Sequence, residues 1–143
     1  MHTFFIVLGL FTAILFFLID KNMHTGVLPG KKNILKRFEK NKEKEQQLQA
    51  EFEHLVQSYE AWSQKAFPHL DVTYSEYLEL LKEKSSIEYS DSEFEKLRSG
   101  LKSQQIVDYA EKIKNQEEAV IAFQAHLNCQ KKKLQSLNIA NAS

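Results

Sequence analysis

His126 and Cys129 stand three residues apart, a spacing that puts two metal-ligating side chains on one face of a helix. A protein-bound metal takes three or four ligands, and no second pair lies nearby in sequence, so this pair predicts no metal centre. His54 and His69 are isolated, and their expected roles are ordinary surface or interface ones. Glu117-Glu118 and Asp108 are spaced as solvated helix charges, not as two carboxylates working on one substrate. Trp62 and Tyr59 fall on an apolar repeat, which assigns them to packing before ligand stacking. The chain contains no Gly-rich phosphate loop, no G-x-S-x-G and no H-E-x-x-H. The expectation is a protein that is not an enzyme, with no cofactor, no metal and no small-molecule substrate. Ser85, Ser86, Ser90 and Ser92, set among acidic residues, could accept phosphate on composition alone.

With no reactive constellation to position, the informative element is the run Phe4–Ile19, apolar apart from Thr12 and containing five Phe. Sixteen helical residues reach about 25 Å against a hydrocarbon core of about 30 Å. Thr3, His2 and the long stem of Lys21 can supply the rest by snorkelling. A transmembrane helix is therefore expected over 3–21. A cleaved signal peptide fits less well, because Met1-His2-Thr3 lacks Lys and Arg and no A-x-A-like site follows. Lys21, Lys31, Lys32, Lys36 and Arg37 all lie on the C-terminal side, which predicts the N-terminus outside and the following domain in the cytoplasm or an organelle interior. Lys31, Lys32, Lys36 and Arg37 are also the residues expected near lipid head groups. Gly9 and Ala13 form a small-xxx-small pair that permits close approach of a second membrane helix.

Lys+Arg and Asp+Glu number 19 each, a balance that argues against a dedicated nucleic-acid binder. The lone Cys129 excludes an internal disulfide. Four Gly and two Pro, with abundant Glu, Lys, Gln and Leu, describe an all-α chain.

After a linker at 22–32, broken by Pro29-Gly30, a helical domain is expected over 33–137. Its first helix is expected to start at the Asn33 cap and end near Ala66, before Pro68. Leu48, Phe52, Leu55, Tyr59, Trp62 and Ala66 follow heptad steps, and Glu45, Asn41, Phe38 and Ile34 continue them backward. Residues 39–47 are expected to be a solvated spacer. Thr73-x-x-Glu76 and Ser90-x-x-Glu93 match capping boxes and predict two short helices, with a loop at 85–89 between them. A last helix is expected over 104–137, its seam running from Ile106 through Tyr109, Ile113, Gln116, Val120, Phe123, Leu127, Gln130 and Leu134 to Leu137. The two glutamine layers either fix register or mark an exposed stretch of seam. Residues 138–143 are expected to be a frayed tail. Two long helices with two short ones between them suggest an antiparallel helical hairpin or small coiled-coil-like bundle.

At the level of architecture this layout resembles the b-type peripheral-stalk subunits of rotary ATP synthases, which have one membrane helix and a long helix inside. The Ala-rich patterning of those stalks is missing here. It also resembles phage inner-membrane spanins, which carry an anchored coiled coil outside the cytoplasm, opposite to the side the lysine bias indicates. The expected function is a single-pass, membrane-anchored adaptor or structural subunit of a membrane complex. The alternative is an envelope-facing, spanin-like or lysis-related protein. Because the two seams differ in length, Phe123, Leu127, Leu134 and Leu137 are expected to contact a second copy or another subunit. Phe52, Tyr59 and Trp62 join them if the helices leave each other uncovered.

Overall fold

A computed structural model of the chain describes residues 30–141. Helix makes up 80% of them, and none belongs to a strand. The helices are α1 (Lys31–Ser58), α2 (Tyr74–Glu88), α3 (Asp91–Arg98) and α4 (Ser103–Asn141). Among the described residues no helix is long and apolar enough to cross a membrane. The span expected over 3–21, with Gly9 and Ala13, lies outside the described residues.

The long helices run parallel, not antiparallel as expected. Arg37 pairs with Glu117 and Glu51 with Lys131, each pair 80 residues apart. Partners that advance together along both helices define parallel axes. A short loop would have forced a hairpin, but the connection over 59–102 contains α2 and α3 and returns the chain to its starting level. α2 runs against α1, since Gln49 donates to the Leu81 carbonyl while Lys42, seven residues earlier, pairs with Asp91, ten residues later. The result is an up-down-up bundle.

α1 ends at Ser58, eight residues before the expected Ala66. Glu60 adopts a left-handed φ of 48°. The Glu60 N–H donates to the Gln57 carbonyl and the Ala61 N–H to the Val56 carbonyl, the two bonds of a Schellman motif. Ala61 and Val56, both wholly buried, supply its apolar contact. Glycine normally marks such an ending, and here glutamate occupies the position, so the sequence carries no stop signal. Tyr59, Trp62 and Ala66 therefore leave the helix. Residues 61–73 fold back on themselves, with Ala66 N–H on the Val72 carbonyl and Tyr74 N–H on the Gln64 carbonyl. This loop covers the end of the α1–α4 seam.

The Thr73–Glu76 capping box forms with both reciprocal bonds. The expected loop at 85–89 is instead the last turn of α2 and its cap, Tyr89. Ser90 caps α3 by accepting from the Glu93 N–H, while the Glu93 carboxylate turns to Lys96 and Lys112 and ties α3 to α4. Gly100, at φ 110°, makes the break before α4, a conformation that side chains resist. α4 continues to Asn141, into the segment expected to fray.

The core lies in two clusters. One packs Leu48, Phe52 and Leu55 against Tyr77, Phe123 and Leu127. The other packs Ile34 and Phe38 against Tyr89, Leu97 and Ile113. Asn41, Glu45 and Gln116 fall between them in sequence on both long helices, and all three are buried. The stretch 39–47 is therefore no solvated spacer: Asn41 and Glu45 are buried, and Asn41 donates to the Ile113 carbonyl of α4.

Candidate partner-docking surface

The side chains expected to meet a partner fall mostly inside the chain's own core. Phe52, Phe123, Leu127 and Leu134 are buried. Tyr59 and Trp62 are partly buried against the same cluster. Of the expected interface set, Leu137 is the one left largely open, at 43% exposure. The physical reason is closure by the 61–73 loop and by α2, whose apolar side chains pack into the same cluster. The glutamine layers are buried too, so the reading of them as exposed seam does not hold.

Around His126 the core is aromatic. Its ring stacks on Phe67 with centroids 5.4 Å apart and meets the edge of Tyr77 at 5.6 Å. Its Nε2 is buried without a protein hydrogen-bond partner, as is the Tyr77 hydroxyl. Burial holds the His126 imidazole below its ordinary pKa, and the nearby Lys133 ammonium adds to the effect. Burial likewise raises the Tyr77 phenol far above its usual range. Cys129 is exposed while His126 faces inward, so the two do not converge on one point. Among the described residues no three His, Cys, Asp or Glu side chains are grouped to hold a metal ion.

One turn further on, Gln130 is fully engaged. The Tyr74 hydroxyl donates to its Oε1 at 2.5 Å, and its Nε2 donates to the Ala66 carbonyl at 3.3 Å. This side chain fastens the loop to α4. Gln116 contrasts with it: both its amide oxygen and its amide nitrogen are buried with no protein partner. In the same belt Gln49 donates to the Leu81 carbonyl, and burial raises the Glu45 carboxyl above its ordinary pKa, partly opposed by Lys84.

Sequence reading missed a Ser–His contact at i,i+4 on α1. Ser58 Oγ lies 3.5 Å from His54 Nδ1, but it donates to the His54 carbonyl at 2.7 Å. A hydroxyl bonded back to its own helix is a helix-end arrangement, not an activated nucleophile. An open groove of about 480 Å³ runs between α1 and the α2–α3 junction, lined by Lys42, Gln46, Ser85, Ser86, Ser90 and Asp91. Lys42 pairs with Asp91 across it, and Ser90 is committed as a cap.

The four basic residues expected near lipid divide. Lys31 donates to the Arg98 carbonyl at 2.7 Å, closing the end of α3. Arg37 is held by Glu117 through two hydrogen bonds, which raise its pKa further. Lys32 and Lys36 face solvent. Among the described residues the large apolar side chains turned outward are Ile87, Val107, Ile121 and Leu137, with Ile121 exposed by 69%. Comparison of the chain with known protein families, with curated proteins and with solved structures gave no match.

Proposed function

We propose that the chain is a membrane-anchored helical adaptor, a structural subunit that holds another protein subunit at a membrane. The observation that carries this reading is the run Phe4–Ile19, followed at once by a one-sided set of Lys and Arg. The bundle begins at Lys31, so a linker of only eleven residues separates it from the run. A bundle with its own core supports the adaptor role, because it can present a fixed outer surface without needing a second copy to fold. Contact with a partner then uses outward side chains such as Ile121, not the closed seam.

Three measurements test this. Alkaline carbonate extraction of membranes carrying the full chain should leave it in the membrane pellet, and release into the supernatant would sink the anchor. Purification in mild detergent should bring down a stoichiometric protein partner, and loss of that partner on Ile121→Asp, with the protein still in the membrane, is the expected result. Protease should reach the C-terminus in inside-out vesicles and not in intact cells; the reverse would invert the proposed topology.

A further inference from the structure

From Lys31 to Lys44 the first half of α1 carries seven basic and two acidic side chains. Three of the seven are occupied: Lys31 on the Arg98 carbonyl, Arg37 on Glu117 and Lys42 on Asp91. The other four, Lys32, Lys36, Lys40 and Lys44, recur at every fourth residue, and all four are exposed. None is in an ion pair among the described residues. Residues four apart are neighbours on a helix surface, so these ammonium groups form one ridge, and like charges at this spacing oppose the helix that bears them. Glu39 and Glu43 sit to one side, lining the groove against Phe94 of α3. The ridge spans twelve residues, about 18 Å along the axis.

We propose that this lysine ridge is a docking surface for the anionic head groups of a lipid bilayer, so that α1 lies along the membrane instead of standing away from it. The proposal rests on the membrane-anchor reading. Twelve residues separate Ile19 from Lys32, a tether that holds the ridge within about 45 Å of the end of the apolar run. A tethered charge row meets a nearby surface at high effective concentration. Lysine ammoniums are flexible point charges that suit a fluid array of phosphates, whereas Arg37, the side chain with a fixed fork, is used inside the fold. Each lysine close to an anionic surface favours contact by about fivefold. The ridge therefore replaces the expected set of Lys31, Lys32, Lys36 and Arg37: two of those are engaged in the fold, and Lys40 and Lys44 take their place.

The test uses the full chain reconstituted in vesicles of neutral phosphatidylcholine, or of the same lipid with added phosphatidylserine, with amine labelling read residue by residue. Labelling of Lys32, Lys36, Lys40 and Lys44 should fall about fivefold or more in the anionic vesicles and recover in high salt, while exposed Lys132 on α4 stays unchanged. Equal labelling in both vesicle types, in protein that resists carbonate, would overturn the ridge and leave the anchor standing. If carbonate strips the protein, flotation with anionic but not neutral vesicles supports the ridge without the anchor, and no flotation overturns both. Protection by duplex DNA equal to that by anionic vesicles would also overturn the assignment to lipid. A variant with all four lysines changed to Gln should keep its thermal midpoint and lose the lipid-dependent effect. Should it fail to fold, the labelling of the unaltered chain still decides.

Discussion

Arg37 on α1 and Glu117 on α4 grip each other through two hydrogen bonds, Nε to Oε1 at 2.8 Å and Nη2 to Oε2 at 2.6 Å. Their side chains are about one-third exposed, and the forked geometry gives this pair more directional value than a single surface contact. The pair pins the register of two parallel helices at the level where the buried belt of Asn41, Glu45 and Gln116 divides the core. It also withdraws one positive charge from the outer face of α1, which leaves the lysine ridge to stand alone.

Charge placed in the α4 seam should unfold the bundle before it affects any assembly. Leu127 is 1% exposed, and an unpaired carboxylate there costs on the order of 3–5 kcal/mol. Leu127→Asp should lower the urea midpoint severely, whereas Ile121→Asp should stay within about 0.5 kcal/mol of the parent. A Leu127→Asp protein of normal stability that had lost its partner would restore the seam as a docking face.

Gln116 should be more stable as an apolar residue. Its amide has no protein partner, and a buried polar group in that state costs about 1–3 kcal/mol. Gln116→Leu, close in volume, should raise stability by roughly 1–2 kcal/mol by the same bound. Denaturation showing a loss instead would mean that the amide is satisfied in solution.

At the end of α1, glutamate sits where the backbone favours glycine. Glu60→Gly relieves the left-handed φ of 48° and should stabilise by about 1 kcal/mol, with the added freedom of the unfolded chain offsetting part of it. A lower thermal midpoint for the variant would contradict the Schellman ending.

The stability of the bundle should fall in mild acid because of His126. The fold holds its pKa below the unfolded value of about 6.5, so above that pH both states are neutral and its contribution is fully present. As pH drops through 6.5 the unfolded chain takes up a proton that the folded one refuses, and stability declines until the folded pKa is passed. Urea midpoints at pH 7.5 and 5.5 should differ more for the parent than for His126→Phe. Equal differences would show that the ring is not the source.

The heptad steps alone identified the α4 seam from Ile113 to Leu134, now buried, and the Thr73–Glu76 box alone placed the start of α2. Both are local properties, set by helical period and by a bond between neighbours. Helix direction is not local. A stripe of alternating 3 and 4 steps reads the same both ways, and pairing the seam ends as a hairpin, Ile34 with Leu137, would have set Asn41 opposite Gln130. The length of the returning α2–α3 segment chose the parallel register and placed Asn41 beside Ile113 instead. The same packing decided that Asn41 and Glu45 are buried, that the expected interface side chains close on one another, and which lysines of α1 remain free. Sequence spacing marked the faces, and only the three-dimensional path of the chain decided which of them met.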